Sequence, residues 1–299
     1  MKTGFSKIPA SEGAQRLVLS LVKECEAAAV RLGSPGDGEA LHDFRVSLHR
    51  LRCLLRDYRD QLPAVRAAIR KELKRLCART NPVRDTEAGI ALLNSFADKA
   101  GGKEKRSLLA AAGKLEGCGS RPRKNFAAGL RREFLALAVK LRACLATGPS
   151  SHGASERKKA RISLAAVNGK AIRRHSGRLR DGLSVIKALS DAYEIHRARL
   201  LAKKLRYILE PETCLDRRAS RFLKKIIRLQ LLLGKIHDIQ VICGVLHRSA
   251  GKKGGGAGLA PAGQFIEEKE AGLFRKLEKS WLFSAGSGFF RKLNRYSRR

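Results

Sequence analysis

The chain is poor in acid. Across 299 residues, 27 Asp and Glu face 63 Lys and Arg, a formal net charge of +36. Self-repulsion of that size opposes compaction and favours a polyanionic partner: nucleic acid, an anionic membrane surface or polymeric phosphate. Aromatic residues make up only 5%, and those near the basic stretches fall mostly on apolar faces. Few platforms remain on which unpaired bases could stack, which argues against a single-strand nucleic-acid reader. No helix-turn-helix or zinc pattern occurs either. The seven cysteines are scattered without a Cys-x-x-Cys pair, so they read as buried thiols in a reducing compartment, neither a disulfide framework nor a zinc site. There is no signal-peptide apolar core and no apolar run of membrane-spanning length, and the expectation is a soluble cytoplasmic protein without membrane contact. Strand signals are nearly absent, with no alternating β-branched runs. The fold class read from this is all-α.

What the chain does have is a doubly striped stretch, Leu41 to Leu62. Leu41, Phe44, Leu48, Leu51, Leu55, Tyr58 and Leu62 follow three-four spacing, which at about 100° per residue makes one apolar stripe on an α-helix. His42, Arg45, His49, Arg52, Arg56 and Arg59 step the same way and share a sector of about 100° beside it. That basic ladder predicts one row roughly 25 Å long. Either something anionic lies along it or the face is solvated.

The rest of the chain reads as helices and turns. Ala14 to Leu32 is amphipathic, and Gly33 to Gly38 ends it with turn residues. Pro63 stops the ladder helix, and Val65, Ile69, Leu73 and Leu76 carry the next one to Thr80. Asn81-Pro82 breaks it, and Arg84-Asp85-Thr86-Glu87 opens another. Lys103–Leu115 and Lys124–Leu145 follow, then a linker candidate from Thr147 to Ser155. Beyond it the ladder returns: His196, Arg199, Lys203 and Arg206 match His42, Arg45, His49 and Arg52 at an offset of 154. Lys224 and Arg228 answer Lys71 and Arg75 at an offset of 153, and His237-Asp238 answers Arg84-Asp85. The pattern is a tandem duplication, with units at 1–148 and 156–299 of a single domain spanning 1–299. Gly251 to Gly263 reads as a mobile loop, Gln264 to Leu282 as a last helix, and Phe289 to Tyr296 as a short basic tail.

These residues resemble the conserved histidine α-helical domain, or CHAD, family. The match rests on LHDFRVSLHRLRCLLR, PVRDTEAG, EIHRARLLAKKLRYILE and LLLGKIHDIQV and covers nearly the whole chain. The resemblance implies two helical bundles related by a pseudo-twofold axis, a basic central cavity that binds inorganic polyphosphate, and association with polyphosphate granules. Some positions depart from the family pattern. His49 stands where Arg is usual and Leu48 where Thr is common; Arg197 replaces an acidic residue and Leu201 a basic one. The E-x-E-x-K strand of the triphosphate-tunnel domain carried by many relatives is missing.

The candidate binding set follows from ladder and resemblance together. Guanidinium forks pair with phosphate oxygens through parallel charge-assisted hydrogen bonds, and Lys adds a mobile point charge. Arg45, Arg52, Arg56, Arg59, Arg199, Lys203 and Arg206 supply such groups in line. His42, His49 and His196 share the cationic faces, where a histidine is either a structural hydrogen-bonding group or a phosphate contact. For Lys71, Arg75, Lys224 and Arg228, off the apolar stripes, the spacing leaves cavity and bulk solvent open. Arg84 and His237 complete the set, while Asp85 and Asp238 read as helix caps or partners of nearby cations. His42-Asp43 and His237-Asp238 suggest the ligand pairs of metal-dependent phosphohydrolases, but adjacent helical residues point about 100° apart. No carboxylate cluster for Mg²⁺ accompanies them. The expectation is a non-catalytic binder of polyphosphate, open to other polyanions and without cofactor or metal. An RNA-binding protein is the alternative, and a phosphohydrolase a remote one.

Overall fold

The computed structural model describes residues 8–34, 37–119, 123–146, 162–250, 260–283 and 286–298. Among them every regular element is a helix: α1 Ala10–Arg31, α2 Ala40–Asp57, α3 Ala67–Arg79, α4 Asn81–Ala97, α5 Gly102–Gly119, α6 Arg123–Ala146, α7 Leu164–Ser184, α8 Ala192–Leu215, α9 Ala219–Ala250, α10 Ala260–Trp281 and α11 Ser287–Tyr296. The expected linker, the side chain of Arg84 and residues 251–259 of the Gly-rich loop lie outside the described residues.

The packing can be followed through the first and the second half of the chain. In the first, α2 lies against α1 and α3, and α4 against α5; in the second, α8 lies against α7 and α9, and α9 against α10. Helix α7, which sequence periodicity did not single out, repeats α1 at an offset of 153 to 154 residues, Ala10 answering Leu164 and Arg31 answering Ser184. The halves then meet through like elements, α1 on α7, α2 on α8 and α5 on α10. An antiparallel bridge of Pro9 with Ser163 sets the starts of α1 and α7 side by side. Their approach there is close: a Cβ on Gly13 would fall 2.6 Å from Leu164 Cδ2.

One difference between the halves has a simple cause. Helix α9 runs unbroken for 32 residues, whereas its counterpart is split into α3 and α4 at Thr80. A proline lacks an N–H, and in an unbroken helix its ring would clash with the carbonyl four residues back; position 82 is a proline, and Lys235 stands at the equivalent place in α9. Helix α4 therefore opens at Asn81, ahead of the predicted Arg84. The same alignment moves Asp238 away from any helix opening, because it lies inside α9.

The ladder helix is shorter than its stripe predicts. It ends at Asp57, and Arg59 follows in a turn. Both residues at that end are tied to the second half. Asp57 meets His175, and the fully buried Tyr58 donates its hydroxyl to Asn168. Asn168 in turn donates to Glu212 at 2.6 Å, which also accepts from Tyr296 at 3.1 Å.

The main apolar core runs through both halves along α1, α2, α3, α6, α7, α8 and α9, and a smaller one joins α4, α5, α9 and α10. The expected basic tail is the helix α11, docked through buried Phe289, Phe290, Leu293 and Tyr296. Gly169 admits it: a Cβ there would lie 2.4 Å from the Ser297 carbonyl oxygen. The described cysteines are free thiols. Cys25, Cys53 and Cys77 are buried as expected, but Cys214 is exposed.

Candidate anion-binding cavity

A cavity of about 700 Å³ opens between α1, α2, α4, α8 and α9. Helix α2 presents His42, Arg45 and His49 to it, α8 presents Arg199, Lys203 and Arg206, and α9 presents His237. Three-four spacing puts each trio on one helical face, and the α2–α8 contact turns the two faces toward a common space. Arg31 and Arg50, absent from the ladder, also line it, which makes six Arg and Lys side chains against three carboxylates, Glu24, Asp43 and Asp238. On the helical wheel Arg50 sits about 100° from His49, so a one-stripe reading passes over it. Arg31 comes from the far end of α1, and nothing in its local sequence marks it.

Part of this charge is already paired. Arg31 holds Asp43 at 2.6 Å and Asp37 at 2.8 Å. Arg50 Nε lies 2.9 Å from Glu210, and Arg206 Nε meets the other oxygen of that carboxylate at 2.7 Å. Arg199 is 3.6 Å from Asp238, and Arg45 donates to Asn81. The predicted partner role of Asp238 is thus met across the cavity wall.

Two of the histidines, His49 and His237, are held toward the neutral form. Burial pushes His49 down to about 3, assisted by Arg45, Arg52 and Lys203. Burial also lowers His237 to about 4, assisted by His196, Arg199 and Lys203. Desolvation and like charge both disfavour the imidazolium form. Tyr207 borders the cavity with its phenol pushed up to about 12, chiefly by burial.

The rest of the predicted set is elsewhere. The row divides along α2: His42, Arg45 and His49 line the cavity, and Arg52, Arg56 and Arg59 do not. Arg52 reaches the Cys77 thiol, and Arg56 meets Cys53 and Asp57. Arg59 pairs with Asp60 at 3.2 Å and is 69% exposed. Lys71, Arg75, Lys224 and Arg228 are exposed on the outer faces of α3 and α9. His196 meets the cavity-lining His237 ring at a tilt of 50°. Leu201, at the position where the family carries a cation, packs toward Gly182, whose Cβ would lie 2.7 Å from it.

A family model for the CHAD domain matches residues 16–247. The chain belongs to the CHAD family. Its fold is similar to the crystal structure of the CHAD domain from the plant Ricinus communis, with TM-score 0.64 and 19% identity over 92% of this chain and 89% of that one. PptA from Streptomyces chartreusis also matches, with TM-score 0.58 and 15% identity over 97% of this chain and 99% of the other. At such identities the likeness concerns the fold. No curated protein matches the chain by sequence. In this CHAD chain no described helix is long and apolar enough to cross a membrane. No group of three or more His, Cys, Asp or Glu among the described residues could hold a metal ion.

Proposed function

We propose that the chain is a non-catalytic module that binds inorganic polyphosphate in this cavity and is thereby recruited to polyphosphate granules in the cytoplasm. One observation carries the reading. Two basic rows, His42-Arg45-His49 on α2 and Arg199-Lys203-Arg206 on α8, line one cavity, with Arg45 answering Arg199 and His49 answering Lys203 at the offset of 154. A linear polyanion needs cations repeated along its path, and guanidinium groups from both sides offer its oxygens paired donors. On this reading the chain is one domain of two duplicated units, 1–148 and 156–299, about a pseudo-twofold axis. Such a cavity grips a phosphate chain without offering it a nucleophile.

The test is competition for labelled long-chain polyphosphate by RNA and duplex DNA, at matched phosphate concentration and physiological salt. Polyphosphate is expected to win against both. Equal or better competition by RNA would replace this reading with nucleic-acid binding, to which +36 would contribute without any specific site.

A further inference from the structure

Two of the ladder residues that miss the cavity, Arg52 and Arg56, lie four residues apart on one face of α2. At the offset of 154, Arg50 answers Lys204, Arg52 answers Arg206, and Arg56 answers Glu210. On the cavity side Arg50 and Arg206 share the Glu210 carboxylate, at 2.9 and 2.7 Å. On the opposite side of the α2–α8 contact, the equivalent pair is Lys204 and Arg52, and a third cation replaces the carboxylate. We infer that Arg52, Arg56 and Lys204 form a second phosphate-binding site, outside the cavity, for the oxyanions of a short or terminal polyphosphate segment.

The surroundings agree with an anion as the missing partner. Lys204 is half-buried, and its ammonium is held below the ordinary lysine range by burial and then by Arg56, with Arg178 and Arg52 adding to the effect. The nearest carboxylate, Asp57, is already engaged. It is 3% exposed, meets Arg174 at 2.8 Å through one oxygen and His175 at 2.8 Å through the other. Arg56 touches it at 3.3 Å and also donates to Cys53 Sγ, yet keeps 45% of its side chain exposed. Asp57 therefore orients Arg56 and leaves donors turned outward. Two guanidinium groups beside one ammonium suit the tetrahedral oxygens of a phosphoryl group. The inference does not need the cavity to hold polyphosphate.

The experiment is calorimetric titration of the full chain with inorganic tripolyphosphate. In R45E/R199E, whose cavity is reversed in charge, one equivalent should still bind. Adding R56E, which copies the carboxylate of the other side, should weaken that binding at least about tenfold, and R56K should largely preserve it. Adding K103E, an equal charge change on the exposed face of α5, should leave it nearly unaltered. Loss of all tripolyphosphate binding in a folded R45E/R199E, judged by helical circular dichroism, overturns the inference. So does equal weakening by K103E and R56E. Should R45E/R199E not fold, R56E alone decides: it must reduce the wild-type stoichiometry by one equivalent, and unchanged stoichiometry rejects the site. Long-chain polyphosphate then identifies the source. Weaker long-chain binding by R56E means the site holds a continuation of the chain in the cavity; unchanged binding alongside lost tripolyphosphate means it holds a separate small phosphate. Failure of the cavity reading looks different, with long-chain binding indifferent to R45E/R199E.

Discussion

His196 and His237 lie ring against ring, with His196 Nδ1 3.0 Å from His237 Nε2 and their centroids 4.2 Å apart. Two imidazolium rings at that distance repel strongly, so with the cavity empty at least one stays neutral. Helices α8 and α9 thus bring together a pair that a bound polyanion can charge.

Binding should therefore take up protons. An anion in the cavity favours the charged histidine, raising His237 from about 4 and His49 from about 3 toward the working pH. Calorimetry at pH 6 in buffers of different ionisation enthalpy should show net proton uptake, and affinity should rise as pH falls from 8 to 5.5. H49A/H237A should lose most of the uptake. Affinity independent of pH would remove the histidines from the site.

The empty protein should show the opposite trend in stability. Both folded-state values lie below the unfolded value near 6.5. Between the two, the unfolded chain binds more protons, so stability falls with falling pH. The histidine contribution is intact above about 6.5, is lost as pH drops through about 4 for His237 and 3 for His49, and should be restored by ligand. Urea midpoints across pH 7.5 to 4.5, with and without polyphosphate, check the sign.

Position on the ladder should matter more than charge. R45E/R199E changes two groups that line the cavity, whereas K224E/R228E changes two exposed groups on the outer face of α9. Binding to long polyphosphate should fall at least about a hundredfold in the first and less than about threefold in the second, since exposed charges act mainly through a screened field. Filter binding at physiological salt distinguishes them. Equal losses would reduce the site to net charge.

The helices are legible in the sequence because they rest on local spacing. Leu51 and Leu205 fall on their stripes wherever the helices end up. The cavity is legible only in part, because a stripe gives the direction of a side chain but not which neighbour crosses it. Arg45 and Arg52 share one face of α2, yet Arg45 lines the cavity and Arg52 reaches the Cys77 thiol. Arg50 enters through a partner, Glu210, 160 residues away. Helix α7 carries the buried His175 and Asn168 on its inner side, polar residues that interrupt the apolar pattern periodicity relies on. The docking of the basic tail is not legible for a related reason: the apolar groups of α11 are few, and the surface that receives them lies on α7.

Docking of α11 should depend on Gly169. With the Ser297 carbonyl oxygen 2.4 Å from any Cβ there, G169V must push the helix off its seat or displace α7. Because Phe289, Phe290 and Tyr296 are then partly exposed, the expected cost is about 3–5 kcal/mol, the range for a large buried side chain lost from a core. Chemical denaturation measures it, and a change under about 1 kcal/mol would show that α11 is not seated there.

Glu210 should restrain binding. Its carboxylate occupies Arg50 and Arg206, two guanidinium groups at the cavity that would otherwise be offered to phosphate. All three side chains are under a third exposed, at 28%, 23% and 20% for Arg50, Arg206 and Glu210. In E210Q the empty protein loses a partly buried charge partner, and stability should drop by about 1–3 kcal/mol. A polyanion then supplies the missing negative charge, so much of that loss should return as tighter binding, by about three- to thirtyfold. Both shifts should appear together, a lower midpoint without ligand and a larger stabilisation with it, as linkage requires when a ligand binds only the folded state. Weaker polyphosphate binding in E210Q would mean that Glu210 positions the two arginines for the ligand instead of competing with it.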